Sequence, residues 1–194
     1  VLSRLLWLSD RVVDIVFPRD NTEDSLSMIL SAAGGDTFNI QDLYPIKILS
    51  IRLPQSIIQK YTGPRFGIDR LRKILKVNDR PLLIGPVKPC VGMKPDAFAQ
   101  RAKEALLGGT DIVKDDELLC NPSYNPLRTR VRAVAEVVKE AQRITGERKM
   151  YFAFIGNGSP VEILKHAKIA KANGTDGLMI GPAINGWEII KELK

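Results

Sequence analysis

The fold of this chain is decided at residues 108–117, which read GGTDIVKDDE. A glycine pair opens a short apolar run, and that run leads into one lysine and three carboxylates. The apolar run predicts a buried β-strand that ends in an unusual concentration of charge. Because side chains alternate along a strand, Lys114 and Asp116 share a face, and Glu117 can curl over the strand end toward them.

The charged end of this strand has two interpretations. It forms either a solvated loop whose charges neutralise one another or an oxygen-lined site for a hard cation. In the second case Lys114 has to contribute an oxygen, and an amine does so only after CO₂ adds to its neutral form to give a carbamate. Burial and a nearby metal charge favour that modification. Residue types alone leave both interpretations open.

Predicted strands and helices alternate from residue 65 onward. Apolar residues at helical spacing predict a helix over 65–77. The predicted strands then cover 82–87, 110–114, 150–155 and 177–180, and the helices that follow them cover 95–107, 126–145, 159–173 and 185–193. Parallel strands that are joined by helices and buried on both faces predict an α/β barrel or a doubly wound sheet.

The residues before this region follow a different pattern. Residues 11–17 predict a strand because they alternate weakly and are β-branched. Residues 25–33 predict a helix, with Thr22 or Asp24 as its cap. Residues 45–53 predict a further strand, which Pro54 ends.

The composition describes a globular chain, since 44% of its 194 residues are hydrophobic and 26% are charged. No apolar run approaches the ~20 residues that a membrane-spanning helix needs. The cysteines, Cys90 and Cys120, lack zinc-site spacing and are too few for a disulfide framework. We therefore expect a cytoplasmic protein without a membrane partner.

The net charge of +7 would suit either nucleic acid or an anionic substrate. The basic residues are spread along the predicted helices, without an aromatic-studded stripe or a recognised nucleic-acid-reading motif. Nucleic acid is therefore not the favoured partner. A phosphorylated small molecule accounts for the charge equally well.

Several short motifs occur together and in a fixed order. They are KPCVG at 88–92, GG at 108–109 and KDDE at 114–117, preceded by YTGPRFGI at 61–68 and RPLL at 80–83. This set resembles the large chain of ribulose-bisphosphate carboxylase (RuBisCO) and its non-carboxylating relatives, the RuBisCO-like proteins of form IV type. The likeness runs from about Val12 to the end of the chain, and several motifs in order make it specific.

The resemblance selects a fold. It implies the first half of a (β/α)₈ TIM-type barrel over residues 63–194, preceded by part of a RuBisCO-type α+β N-terminal domain over residues 1–62. A closed barrel of this type has eight strand and helix units, and the chain carries four. We therefore expect a truncated form of a longer protein, and the alternative is a second polypeptide that completes the barrel. Exposed sheet edges would favour such pairing.

The resemblance also assigns roles at the carboxyl ends of the strands. Lys114 is implied to be the carbamylated lysine (N6-carboxylysine), with Asp116 and Glu117 as the carboxylate ligands of one Mg²⁺ ion, and CO₂ as the source of the carbamate. Lys88 is implied to be a catalytic and substrate-binding residue that handles the proton on the substrate carbon. Asn157 is a weaker candidate for substrate contact, since Asn-Gly most simply makes a turn.

The implied function is Mg²⁺-dependent proton abstraction, with enolisation or isomerisation of a phosphorylated ketose or diketo compound, as in methionine salvage or sugar-acid metabolism. Cys90 stands where the carboxylases have a second lysine, which argues against carboxylation. A carbon-fixing carboxylase large chain and a non-catalytic half-barrel that binds a partner are the alternatives. The complete protein is expected to be a lyase or isomerase that forms a homodimer or higher oligomer, and this chain is expected to be inactive alone.

Three further features are predicted to be structural. His166 lies within a predicted helix, away from any strand end, and is expected to be a surface or packing residue. Cys120 is expected to be a passive thiol because no histidine is near it in the sequence. Arg128, Arg130 and Arg132 are expected to line the solvated side of an amphipathic helix.

Overall fold

The computed structural model describes residues 4–9, 11–43, 45–61 and 63–193. These residues divide into two compact units. One contains the described residues up to Gly63 together with 186–192, and the other contains the residues from Pro64 to Asn185 together with Leu193. The predicted boundary at residue 62 stays a prediction, since Thr62 lies outside the described residues.

The first unit opens with an antiparallel pair of strands, β1 (Arg4–Leu8) and β2 (Val13–Val16). Short helices follow, which are α1 (Leu26–Gly34), α2 (Gln55–Ile58) and the 3₁₀ turns Arg19–Asn21, Asp36–Asn39 and Gln41–Leu43. The strand predicted over 11–17 and the helix predicted over 25–33 are therefore confirmed.

Two details of this unit differ from the prediction. The cap of α1 is Ser25, whose hydroxyl accepts the backbone N–H of Met28, and neither Thr22 nor Asp24 takes that place. Asp24 instead pairs with Arg19 and with Lys60. Residues 45–53 form no strand, because they find no ladder partner among the residues that the structure describes.

The second unit contains a parallel sheet whose strands lie side by side in chain order. These strands are β3 (Ile84–Pro86), β4 (Ile112–Lys114), β5 (Met150–Phe154) and β6 (Gly177–Met179). The connecting helices are α3 (Ile68–Leu75) before the sheet, then α4 (Pro95–Leu107), α5 (Leu127–Thr145) and α6 (Pro160–Ala172). This order confirms the predicted α/β class.

The core of this unit forms where the central strands meet the helices. Ile112 and Val113 of β4 and Tyr151 of β5 are fully buried, as strands covered on both faces require. Leu75 of α3 and Met150 of β5 form one apolar cluster with Ile112. The central strands β4 and β5 are thus the buried part of the sheet, and most of the predicted site residues lie at or just after their carboxyl ends.

The helix predicted over 185–193 is wrong as a single element. The chain forms two short helices there, α7 (Pro182–Asn185) and α8 (Ile189–Glu192). Gly186 separates them with a φ of +85°, a left-handed conformation that ends a helix. In the part of the chain that the structure describes, no helix has both the length and the apolar character to cross a membrane.

Candidate metal and catalytic site

The strand register brings the predicted site residues to one edge of the sheet. Pro86 pairs with Lys114, and Lys114 pairs with Phe152 on the next strand. Just beyond the strand ends, the Val87 N–H donates to the Lys114 carbonyl at 3.0 Å. Residues that follow β3, β4 and β5 therefore emerge at the same carboxyl edge, where sites of α/β barrels lie.

Lys88 and Asp116 contact each other at this edge. The Lys88 ammonium donates to Oδ2 of Asp116, although the two residues follow different strands. Oδ1 of the same carboxylate accepts the backbone N–H of Leu118 at 3.1 Å. Asp116 is therefore held from both sides.

Lys114 contacts Glu117, which curls over the strand end toward it. Its Nζ lies 3.3 Å from Oε1 of Glu117 and 3.4 Å from the carbonyl oxygen of Asp115. The Lys114 side chain is 22% exposed, whereas that of Glu117 is 55% exposed. The amine therefore lies at the base of the edge, and the Glu117 carboxylate lies toward solvent.

Electrostatics keep both carboxylates ionised. The hydrogen bond from Lys88, and then that from the Leu118 amide, hold the pKa of Asp116 below its usual value. The pKa of Glu117 is lowered by its own backbone amide first and by Lys114 next. The bond to Asp116 raises the pKa of Lys88, so Lys88 is an ammonium ion in this arrangement, whereas a residue that accepts a proton has to be neutral.

Asn157 holds the backbone of Glu117. Its Nδ2 donates to the Glu117 carbonyl at 3.1 Å across two neighbouring strand ends. Asn157 has a φ of +67°, which asparagine tolerates better than most residues. The structure thus gives Asn157 a contact with the site loop, and its contact with substrate stays a prediction.

Asp115, between Lys114 and Asp116, turns the other way and is fully buried. Its Oδ1 accepts a hydrogen bond of 2.6 Å from the Tyr151 hydroxyl. Its Oδ2 accepts from Nη2 of Arg130 at 3.1 Å and from the Phe154 N–H at 3.0 Å. Burial, and then the Asp115 charge, raise the pKa of Tyr151 well above its usual value, so the hydroxyl stays protonated and donates.

The expectation that Arg130 lies on a solvated helix face is wrong, because its side chain is 0% exposed. Burial alone would lower the pKa of Arg130, but the Asp115 charge keeps it above the usual value. A signal for this burial is present in the sequence, since Arg130 lies three residues after Leu127 and four before Val134, within the apolar stripe of α5.

Cys120 and His166 also meet, against the expectation drawn from their sequence separation. The Cys120 Sγ lies 3.4 Å from Nδ1 of His166. Burial nevertheless raises the pKa of Cys120 to about 11, so the group is a thiol near neutral pH. The interpretation of Cys120 as a passive residue therefore rests on its burial rather than on the absence of a histidine.

The donor set suits a hard divalent cation. Asp116 and Glu117 supply oxygens, and a carbamate on Lys114 would supply a third group at the same edge. Within the described ranges, no three or more His, Cys, Asp and Glu side chains group in a way that could hold a metal. Two carboxylates alone therefore leave the coordination short, and Lys114 is the group positioned to extend it.

A parallel sheet whose strands follow one another in chain order is consistent with part of an α/β barrel, the class of protein in which sites lie at the carboxyl ends of the strands. Residues 67–194 match the family model of the ribulose bisphosphate carboxylase large chain, catalytic domain. The chain belongs to that family. The resemblance inferred from KPCVG and KDDE and the predicted half-barrel class are thus confirmed.

Individual relatives agree with this assignment. The chain is 36% identical over 182 residues to a ribulose bisphosphate carboxylase-like protein of Archaeoglobus fulgidus, covering 94% of this chain and 41% of that protein. It is 33% identical to a 3-oxo-isoapionate-4-phosphate decarboxylase of Rhizobium etli, covering 84% and 39%. The chain therefore spans about two fifths of the length of these curated relatives.

A solved structure of the family has the same fold over nearly the whole chain. The octameric ribulose-1,5-bisphosphate carboxylase/oxygenase of Pyrococcus horikoshii superposes with a TM-score of 0.86 at 28% identity. The match covers 97% of this chain and 45% of that one. The family thus includes proteins named for different reactions, and the relatives alone do not specify which one applies here.

Proposed function

We propose that this chain supplies the metal-binding edge of a RuBisCO-like enzyme that removes a proton next to a carbonyl group. The substrate class is a phosphorylated ketose or a related diketo compound. The observation that carries the proposal is the convergence of Lys88, Lys114, Asp116 and Glu117 from two neighbouring strand ends, with Lys88 in contact with Asp116.

Lys114 as its carbamate, Asp116 and Glu117 would hold Mg²⁺. When bound, that ion would polarise a substrate carbonyl and stabilise the negative charge that develops on its oxygen. The partly exposed Lys114 amine is accessible to CO₂, and its Glu117 neighbour lies on the solvent side. Asn157 supports the arrangement because it fixes the Glu117 carbonyl.

Lys88 is the residue we assign to proton transfer. Its side chain is 56% exposed and reaches into the open edge, where a substrate carbon would lie. In this structure the Lys88 ammonium donates to Asp116. Lys88 therefore has to leave that carboxylate and lose a proton before it can accept one from the substrate. Cys90, two residues on, offers no ammonium, which favours enolisation over carboxylation.

The names of relatives support the substrate class and the assembly. The Rhizobium etli protein is named for a phosphorylated oxo compound, which agrees with a phosphorylated keto substrate for this chain. The Pyrococcus horikoshii protein is octameric, and we infer that the complete protein containing this chain also forms a homodimer or higher oligomer. The net charge of +7 is compatible with an anionic substrate.

The test is a calorimetric titration of the 194-residue chain with Mg²⁺, with and without bicarbonate. We expect bicarbonate to tighten binding several-fold and Lys114→Ala to abolish the difference. Lys73→Ala, which removes an exposed lysine from α3, is the matched control and should retain it. Binding that ignores bicarbonate, or a bicarbonate effect that survives in Lys114→Ala, would refute the carbamate assignment.

A further inference from the structure

Arg130 ties together the whole loop that follows β4. Besides Asp115, its guanidinium donates to the carbonyl oxygens of Cys120 at 2.6 Å, Asn125 at 2.8 Å and Leu119 at 3.3 Å. It also lies 5.9 Å from the centroid of the Phe98 ring on α4. One fully buried side chain on α5 therefore fixes both the start and the end of the loop over residues 115–125.

Tyr151 holds the start of the same loop from the neighbouring strand. Its backbone pairs with Val113 in the register of β4 and β5, and its hydroxyl is the donor to Oδ1 of Asp115. The Asp115 N–H in turn donates to the Phe152 carbonyl at 3.0 Å. Main chain and side chain of Asp115 are thus both fixed by β5.

A buried ion pair of this kind contributes little net stability. Taking an arginine and an aspartate out of water is costly, and apolar residues of similar volume often stabilise a fold as well or better. The cluster is nevertheless fully buried, and its aspartate, Asp115, lies between Lys114 and Asp116 in the chain. What a well-bonded charged cluster provides beyond apolar packing is a single fixed geometry.

We propose that Arg130 and Tyr151 are positioning residues which, acting through Asp115, fix the orientation of Lys114, Asp116 and Glu117 toward a common cation. Asp115 faces into the protein, so the residues on either side of it face the open edge. If Asp115 were free to turn, the alternation that brings Lys114 and Asp116 to one side would be lost. This inference rests on the proposed function, since it concerns the same cation site.

The test compares two variants that weaken the core in different places. Tyr151→Phe removes only the hydroxyl that donates to Asp115 and leaves the ring in place. Val138→Ala removes buried methyl groups two turns further along α5, about 12 Å from Arg130 along the helix axis. Mg²⁺ affinity in saturating bicarbonate, the unfolding midpoint, and hydrogen exchange of the metal-free chain are measured for both.

Tyr151→Phe should lose roughly tenfold in Mg²⁺ affinity, the lower end of the range for removing a group that orients metal ligands. Its amide hydrogens over residues 115–121 should exchange faster, while the exchange of the amide hydrogens of β5 should be unchanged. Val138→Ala should lose stability and keep both the affinity and the exchange rates of this loop. Arg130→Lys keeps the positive charge but loses the bonds to three carbonyl oxygens. It should therefore speed the exchange of the same loop more than Tyr151→Phe does.

Wild-type affinity and wild-type exchange in Tyr151→Phe would overturn the inference. An equal loss of affinity in Val138→Ala would also overturn it, because general destabilisation would then explain the effect. If the wild-type chain itself binds Mg²⁺ without regard to bicarbonate, the proposed function fails. Hydrogen exchange of Tyr151→Phe then still tests whether Tyr151 holds this loop in place. Faster exchange confined to residues 115–121 supports that role, and unchanged exchange refutes it.

Discussion

Nζ of Lys88 contacts Oδ2 of Asp116, so an ammonium group and a carboxylate from neighbouring strand ends are paired at the edge where the cation is expected. This carboxylate is one of the two that the family resemblance assigns to Mg²⁺. A divalent cation and the Lys88 ammonium therefore compete for one carboxylate. The pair keeps Asp116 ionised and oriented toward the open edge in the metal-free chain.

Replacing Lys88 by methionine should strengthen Mg²⁺ binding. The change removes a positive charge from the vicinity of the cation and frees Oδ2 of Asp116, and a charge at this distance in water changes affinity by roughly threefold to tenfold. Titration of Lys88→Met with Mg²⁺ in bicarbonate measures the effect, with Lys73→Met as the control for a distant lysine. Weaker binding in Lys88→Met would mean that Lys88 organises the site rather than competing at it.

The contact between Asn157 and the Glu117 carbonyl can be separated from the backbone conformation of Asn157. Asn157→Gly and Asn157→Ala both lose the hydrogen bond, but only alanine also resists the left-handed φ of +67°, at a cost of about 1–2 kcal/mol. We expect alanine to lower the free energy of unfolding more than glycine does. Both variants should weaken Mg²⁺ binding equally, and retained affinity in both would show that Glu117 is held without Asn157.

Asp111 directly precedes β4, and its ionisation should make the free energy of unfolding depend on pH in the acid range. Arg80 donates to both of its carboxylate oxygens, at 2.7 and 2.8 Å, and these bonds hold the pKa of Asp111 below its usual value. The unfolded pKa is about 3.9, so the carboxylate stabilises the fold above that pH and the contribution is lost as the pH falls through the lower, folded pKa.

Asp111→Asn replaces the carboxylate by a neutral amide and should therefore lower the free energy of unfolding at neutral pH by about 1–3 kcal/mol. The difference from wild type should shrink in urea unfolding experiments below a pH of about 4. Asp42→Asn, at an exposed carboxylate of the other unit, serves as the control and should leave the acid profile unchanged. A constant difference between Asp111→Asn and wild type across the acid range would contradict the role assigned to this ion pair.

Strand geometry accounts for which of the predicted residues lie at the carboxyl edge of the sheet. Parallel strands have their carboxyl ends at one edge, so the order of strands alone places Lys88, Lys114 and Asn157 there. Alternation along β4 puts Lys114 and Asp116 on one face, and the turn at the strand end brings Glu117 to Lys114. Asp116 however contacts Lys88, whereas Glu117 contacts Lys114. The contact of Asp116 depends on the path of the chain after β3, which strand geometry does not determine.

Contacts between distant helices and loops were not predictable in the same way. Cys120 and His166 are 46 positions apart, and their contact depends on how α6 packs beside the loop after β4. The expectation that Arg130 lies on a solvated helix face is wrong because its buried partner, Asp115, precedes it by 15 positions, and the pattern of one helix does not reveal such a partner. The strand predicted over 45–53 failed because a strand needs a pairing partner, which local propensity does not supply.

The two cysteines should differ sharply in reactivity. Cys120 is 7% exposed and burial raises its pKa to about 11, so roughly a thousandth of it is thiolate at pH 8. Cys90 is partly exposed and follows the Lys88 turn. Iodoacetamide should therefore label Cys90 in the folded chain, and label both cysteines only in denaturant, as mass spectrometry of tryptic peptides would record.

The same labelling tests whether the contact between Cys120 and His166 affects the reactivity of the thiol. In a Cys90→Ser background, Cys120 should stay unlabelled, and adding His166→Gln should not change its rate, because burial rather than the imidazole controls the thiol. If Cys120 alkylates in the folded chain at the rate seen in denaturant, and His166→Gln slows that reaction, then the imidazole activates the sulfur. Cys120 would in that case be a reactive nucleophile 3.4 Å from its base, and its interpretation as a passive core thiol would be wrong.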